Sequence, residues 1–123
     1  MHRKLTLVMA VLGVGALVAV AGIGRAEDAA AAKDASGTPV ADGATLYQTK
    51  TCFTCHGKDA KTPLLPEYPK LAGQNPAYAL QQMKDIKSGV RANGQTLAMK
   101  GIMHLVSDEE MVVLAEYVAT LEP

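Results

Sequence analysis

The sequence predicts an all-α domain with three main helices and long loops between them. Asn75 directly before Pro76 marks one helix start, since asparagine caps helices and proline is favoured at the first helical position. Ser107 stands three residues before Glu110, and this capping box marks another. Apolar residues at helical spacing follow both starts. No stretch shows the apolar–polar alternation of a half-buried strand, which favours helices throughout.

The N-terminal part of the chain predicts export. A basic start, an uncharged stretch over residues 5–23 and small residues leading to Ala26 give the order of a secretory signal peptide, predicted to span residues 1–26. The uncharged stretch also reaches the lower length limit of a membrane span, so an uncleaved anchor is the alternative. Residues 27–39 hold no large apolar side chain and are predicted to be a flexible linker. Residues 40–123 remain as one domain.

The domain itself alternates helices with loops. The three helices are predicted over residues 42–50, 77–87 and 108–121. Three prolines make residues 57–71 a loop, because proline removes a backbone donor and obstructs the helix interior. Residues 90–106 contain Gly94 and Gly101 and are predicted to be irregular chain with a single turn.

Cys52, Cys55 and His56 form the most specific motif, and these are the only cysteines of the chain. Two thiols at this spacing, followed at once by histidine, are typical of c-type haem attachment. The thiols would join the haem covalently and His56 would ligate the iron. A thiol–disulfide redox pair is an alternative, but its usual βαβ surroundings are missing. Zinc would need further ligands. The absence of an internal repeat predicts one haem c per chain.

The second axial ligand of the iron is left open by the residues alone. Met83 and Met111 lie on the apolar faces of predicted helices, where methionine usually fills the core. Met99 and Met103 lie in the stretch before the last helix, which can fold over a cofactor. A thioether ligand raises the reduction potential of a haem. His104 would instead give ligation by two histidines and a lower potential.

Four stretches of the domain resemble those of short bacterial class I cytochromes c. They are the pair Gly43 and Tyr47, the motif from Cys52 to Gly57, residues 68–74 and residues 114–118. The resemblance spans residues 41–121. It implies a small cytochrome c fold in which the first and last helices cross and the loops wrap around one covalently attached haem. At the crossing, Gly43 would allow close approach, with Tyr47 and Tyr117 packed beside it.

The resemblance also implies the roles of individual residues at the haem. The carbonyl of Pro69 is expected to accept the Nδ1 proton of His56. The axial methionine of the family lies about eight residues before the capping serine of the last helix. This spacing selects Met99, with Met103 as the alternative.

These observations predict a periplasmic one-electron carrier. Two axial ligands leave no open position on the iron, so no catalytic residue and no enzymatic activity are expected. The expected partners are a redox protein donor and a redox protein acceptor, bound transiently by a monomer, with membrane contact only if the N-terminal segment is retained. A cytochrome c subunit of a periplasmic dehydrogenase or reductase is one alternative. A ligand-binding haem protein is another.

The charge distribution is uneven along the chain. The whole sequence has 12 basic and 12 acidic residues, yet residues 50–100 hold eight basic and three acidic ones. From residue 108 onward there are five acidic residues and no basic one. The basic excess could steer an acidic redox partner. It is too modest, and too poor in interleaved aromatic residues, to predict nucleic-acid binding.

Overall fold

A computed structural model describes residues 32–123, which form a helical domain. Its helices are α1 (Gly43–Thr49), α2 (Cys52–His56), α3 (Pro76–Ser88), α4 (Thr96–Met103) and α5 (Asp108–Thr120). The only β-pairing within the described range is an isolated bridge between Lys33 and Pro39, in the described part of the predicted linker. The all-α prediction is therefore confirmed. The predicted signal peptide lies outside the described residues, and no helix in the described range is long and apolar enough to cross a membrane.

Capping residues mark both ends of α3 and the start of α5. The Asn75 side chain accepts a hydrogen bond from the backbone of Tyr78 at the start of α3. Ser107 and Glu110 make both hydrogen bonds of the capping box at the start of α5. Gly89 ends α3 with φ of +86°, a left-handed conformation that glycine adopts without a steric penalty. The observed bounds lie close to the predicted ones.

The prediction of irregular chain between residues 90 and 106 was wrong in part, because α4 occupies its second half. No side chain caps the start of α4, and Gly101 lies inside the helix, so the usual signals are missing. The helix buries Thr96 and Met103 and packs against α3. Tertiary packing of this kind stabilises a short helix that local propensity would not predict.

The helices α1 and α5 approach each other closely where they cross at Gly43. A Cβ atom added to Gly43 would lie 2.2 Å from the Cβ atom of Tyr117, so only glycine permits this approach. The rings of Tyr47 and Tyr117 pack beside it in a tilted arrangement, with centroids 5.8 Å apart. The buried core that continues from this crossing contains Leu46, Tyr47, Ala60, Ile86, Met103, Val106, Met111, Leu114 and Val118.

Two lysines hold the junction between α4 and α5 in place. At the end of α1, Lys50 Nζ donates to the Leu105 carbonyl at 2.7 Å and forms an ion pair with Glu110 at 2.9 Å. At the end of α3, Lys87 Nζ donates to the Val106 carbonyl at 2.7 Å. Both carbonyls follow shortly after α4, so the lysines fix the helix that carries two of the candidate methionines.

Candidate haem site

The two cysteines lie at the start and the fourth position of α2. Both are free thiols and are half-buried. Residues three apart on a helix share one side of it, so both sulfur atoms can reach the same flat cofactor. Burial raises the pKa of Cys52 to about 11, so this thiol is protonated at neutral pH. Among the described residues no group of three His, Cys, Asp or Glu side chains is arranged to hold a metal ion directly.

His56 ends α2 and is only 6% exposed. Its Nδ1 atom lies 2.8 Å from the carbonyl oxygen of Pro69, which can only accept, so Nδ1 carries the proton. Burial lowers the pKa of His56, and the Pro69 carbonyl opposes this effect in part. Within the described range, Nδ1 makes the only hydrogen bond of the ring. The neutral imidazole therefore keeps the lone pair of Nε2 available for a metal.

Three hydrogen bonds and the chain segments between them form a closed circuit that includes His56. We call this circuit the histidine ring, as distinct from the imidazole ring of the side chain. It runs from the His56 side chain to Pro69, along the chain to Leu71, across to Ala60, and through Gly57 back to His56. The Leu71 N–H donates to the Ala60 carbonyl at 2.7 Å, and the Ala60 N–H donates to the Gly57 carbonyl at 3.1 Å. The orientation of the imidazole thus depends on the backbone at Pro69, to which Nδ1 is bonded, and on the backbone at Gly57, which follows His56 in the chain.

Two members of the histidine ring have unusual backbone conformations. Gly57 has φ of +85°, and a Cβ atom there would lie 2.2 Å from the Thr62 carbonyl oxygen, so the position requires glycine. Ala60 has φ of +56° and is fully buried. A left-handed conformation is uncommon outside glycine, asparagine and aspartate. Ala60 could not be identified from the sequence, because nothing in the neighbouring residues signals this conformation.

The hydroxyl of Tyr47 is a second feature of the site that the sequence does not predict. It donates to the Gly57 carbonyl at 2.8 Å and so joins α1 to the histidine ring. From the sequence, Tyr47 is expected only to pack at the helix crossing. A buried tyrosine normally needs a partner for its hydroxyl, which was the available signal. The partner lies ten residues away and could not be identified without the fold.

The candidate methionine ligands lie on one side of α4. Met99 and Met103 are four residues apart and therefore share a helix face. Met103 is 3% exposed and belongs to the core, whereas Met99 is half-buried and packs against that core from outside. His104 is exposed at the end of α4. The structure thus gives the two methionines different surroundings, although the sequence places them in one short stretch.

The residues present fit a covalently bound haem. The Nε2 atom of His56 has no hydrogen-bonding partner within the described range, and it belongs to the residue next to a pair of free thiols. Half-buried apolar side chains that pack on the core also leave apolar surface partly uncovered. They include Phe53, Leu71, Leu80, Met83 and Met99.

A helical domain in which two cysteines on one turn precede a buried, oriented histidine is a c-type cytochrome. The family model described as "Cytochrome c" matches residues 40–122, and the chain belongs to this family. Membership, together with the single Cys-x-x-Cys-His motif, implies one covalent haem c at Cys52 and Cys55. It confirms the predicted cytochrome c fold.

The relatives of the chain include several bacterial cytochromes. Cytochrome c4 of Pseudomonas aeruginosa is 44% identical over 69 residues, which cover 56% of this chain and 32% of the relative. Cytochrome c4 of Azotobacter vinelandii is 31% identical over the whole chain and 52% of the relative. Cytochrome c-554(548) of Halomonas halodenitrificans is 35% identical over 58% of this chain and 86% of the relative.

A solved structure also resembles this domain. Reduced cytochrome c4 from Pseudomonas stutzeri superimposes with a TM-score of 0.58 at 30% identity, over 65% of this chain and 46% of that one. The chain thus spans from about a third to about half of the length of these three cytochrome c4 proteins.

Proposed function

We propose that the protein is a periplasmic one-electron carrier whose haem c is held by Cys52 and Cys55, with His56 and Met99 as axial ligands. The observation that carries this proposal is the hydrogen bond between His56 Nδ1 and the Pro69 carbonyl. It fixes the tautomer and the direction of the ring, and it leaves Nε2 as the free donor atom beside the two thiols.

Met99 is the better candidate for the second axial ligand because Met103 is already committed to the core. A ligand that faces a cofactor is expected to be partly uncovered by protein atoms, as Met99 is and Met103 is not. The two lysines at the α4–α5 junction hold α4 from its C-terminal side. Met99 is therefore carried by a fixed helix rather than by loose chain.

The haem supplies the one-electron chemistry when bound, and the chain's own residues set its conditions. His56 provides a nitrogen ligand whose basicity is raised by the Pro69 carbonyl. Met99 provides a soft sulfur ligand that favours reduced iron and raises the potential. An apolar surface contributed by such half-buried side chains would disfavour additional charge at the cofactor. With both axial positions filled by side chains, no bond-making chemistry at the metal is expected, and the chain is proposed to be a carrier without enzymatic activity.

The proposed partners are redox proteins that dock transiently. A relative from Stutzerimonas stutzeri, named "Thiosulfate dehydrogenase electron acceptor", is 38% identical over 67% of this chain and 38% of the relative. This relative supports a dehydrogenase as the class of electron donor. A free carrier should elute as a monomer from a sizing column after export. A cytochrome subunit of a dehydrogenase or reductase would instead co-purify in stoichiometric amounts with a larger chain.

The haem assignment is tested on protein exported to the periplasm of a host that matures c-type cytochromes. Mass spectrometry of the denatured chain should show one covalently attached haem, and sequencing of its N-terminus shows whether residues 1–26 have been removed. Replacing both cysteines by serine should remove the haem. A wild-type chain that is exported and folded without pigment would contradict the proposal.

The axial ligand is tested by a matched pair of variants, Met99→Leu and Met103→Leu. Leucine conserves volume, so each substitution removes a sulfur atom with little change in packing. We expect the weak far-red absorption band of methionine-ligated ferric iron to vanish in the first variant and to remain in the second. The reverse result would assign Met103. The reduced wild-type protein should not respond to carbon monoxide, whereas a ligand-binding haem protein would.

A further inference from the structure

The Tyr47 hydroxyl makes a hydrogen bond that the packing of its aromatic ring at the helix crossing does not require. Tyr47 is 1% exposed, and its ring is already packed against Tyr117 at the helix crossing. Its hydroxyl reaches out of that contact to the carbonyl of Gly57, the residue that follows His56. A phenylalanine would fill the same space without this hydrogen bond.

The Gly57 carbonyl is the point at which the histidine ring meets the rest of the core. It accepts the Tyr47 hydroxyl at 2.8 Å and the Ala60 N–H at 3.1 Å, so both of its lone pairs are used. The other contacts that close the ring are backbone to backbone, apart from His56 itself. Tyr47 therefore supplies the side-chain anchor that fixes the ring relative to α1.

The part of the histidine ring that contains Pro69 also depends on the hydrogen bond from Tyr47 to Gly57. The Ala60 carbonyl accepts the N–H groups of Leu71 and Ala72 at 2.7 and 3.1 Å. These two bonds place the chain just after Pro69, whose carbonyl holds His56 Nδ1. A displacement of Gly57 would pass through Ala60 to Leu71 and from there along the chain to Pro69, since hydrogen bonds join Gly57 to Ala60 and Ala60 to Leu71.

We propose that Tyr47 is a positioning residue for the axial histidine. Its hydroxyl, acting through Gly57 and Ala60, sets the length and direction of the bond between His56 Nδ1 and the Pro69 carbonyl, and through that bond the donor strength of the imidazole toward iron. This inference rests on the proposed role of His56 as the axial ligand. It assigns to the hydroxyl a function that the aromatic ring alone does not provide.

The chain offers a matched control for this inference. The Tyr117 hydroxyl makes no hydrogen bond within the described range as a donor, and its ring lies against Tyr47 at the same crossing. Tyr47→Phe and Tyr117→Phe each remove one oxygen atom from neighbouring rings. Only the first removes a bond to the histidine ring.

The two variants are compared as purified holoprotein by NMR in the reduced, diamagnetic state and by redox titration. We expect the His56 Nδ1 proton of Tyr47→Phe to exchange at least about tenfold faster relative to the slowest amide protons of α5, which report global opening. We also expect the reduction potential to rise, because a weaker bond to Pro69 makes the imidazole a poorer donor to ferric iron. Tyr117→Phe should show neither change.

The outcomes distinguish a positioning role of the Tyr47 hydroxyl from a packing role of the Tyr47 ring. If Tyr47→Phe only lowers stability, with the exchange ratio and the potential unchanged, Tyr47 is a packing residue and the inference is wrong. A fall in potential, or equal changes in both variants, would also overturn it. The spectrum of wild-type holoprotein decides the axial ligation separately, so a failure of the proposed function is recognised before the variants are compared.

A second measurement needs no variant, and it applies if Tyr47→Phe does not accumulate. In the wild-type protein the Tyr47 hydroxyl proton and the His56 Nδ1 proton should exchange through one shared opening of the histidine ring. Their protection should then fall together, with the same slope, as denaturant is added. Loss of protection at His56 while the Tyr47 hydroxyl proton stays protected would refute the coupling.

Discussion

Gly43→Ala tests the helix crossing on which the fold depends. The added Cβ atom would lie 2.2 Å from Tyr117 Cβ, 2.8 Å from Tyr117 Cγ and 3.1 Å from the Val113 carbonyl oxygen. Tyr117 Cβ is bonded to the backbone and cannot rotate away, so α1 and α5 must separate. We expect a loss of about 3 kcal/mol in the free energy of unfolding, at the upper end of the usual cost of overpacking.

The same substitution at Gly101 supplies the control. An added Cβ atom there meets nothing within 4 Å, and the residue is exposed on α4. Gly101 lies two residues after Met99, about 200° around the helix axis, so the added methyl group points away from the proposed ligand. Alanine exceeds glycine in helix propensity by about 0.8–1 kcal/mol, and Gly101→Ala should stabilise the protein by a similar amount.

Both variants are measured as holoprotein by urea unfolding, which is monitored by the circular dichroism signal of the helices. In a domain of this size each kcal/mol corresponds to about 4–8 °C in melting temperature, so Gly43→Ala should melt roughly 12–24 °C below the wild type. Gly101→Ala should melt about 4–8 °C above it. A Gly43→Ala protein that unfolds at the wild-type urea concentration would show that the helices do not cross as closely as described.

Three further predictions concern the electrostatics and the caps. Lys50→Met should lower the free energy of unfolding by about 1–2 kcal/mol, because it removes the hydrogen bond to the Leu105 carbonyl and the ion pair with Glu110. The two side chains of this ion pair are only 22% and 20% exposed. A urea midpoint equal to that of the wild type would contradict this prediction. Ser107→Ala should cost about 1 kcal/mol by removing the capping box of α5, and an unchanged midpoint would show that the cap adds nothing. The Thr62 hydroxyl and neighbouring N–H groups lower the pKa of Asp59 from 3.8 to about 2. Since the folded pKa lies below the ordinary value, its stabilising effect is complete above pH 3.8 and is lost as the pH falls toward 2. The melting temperatures of wild type and Asp59→Asn should therefore converge over that interval, and a constant difference would refute the assignment.

Helices with local signals could be predicted from the sequence with nearly correct ends. In α3 and α5 the capping side chains bond to backbone within three residues, so the information that positions each helix start is contained in four or five adjacent positions. In α4 the start has no such bond, and its stability comes from contacts with α3. Packing of that kind is set by the whole fold, so α4 could not be predicted from its own residues.

The haem motif could be predicted because covalent attachment constrains residues that adjoin in sequence. The contacts that orient His56 could not be predicted. The Tyr47 hydroxyl meets a carbonyl ten residues away, and Ala60 adopts its left-handed conformation because two separate stretches bond to its backbone. The sequence alone also could not decide between Met99 and Met103. Both lie on one face of α4, and they differ only in how the core surrounds them.

The crossing at Gly43 and Tyr117 brings the two ends of the domain together, because one residue opens α1 and the other lies in the last turn of α5. The order of the helices along the polypeptide is therefore separable from their arrangement in space. A circular permutant could join the present ends by a short peptide and open at Gly94, which is exposed and has free space around it. Such a rearranged chain would present the attachment motif to the maturation machinery only after α4 and α5 have been synthesised, which reverses the natural order.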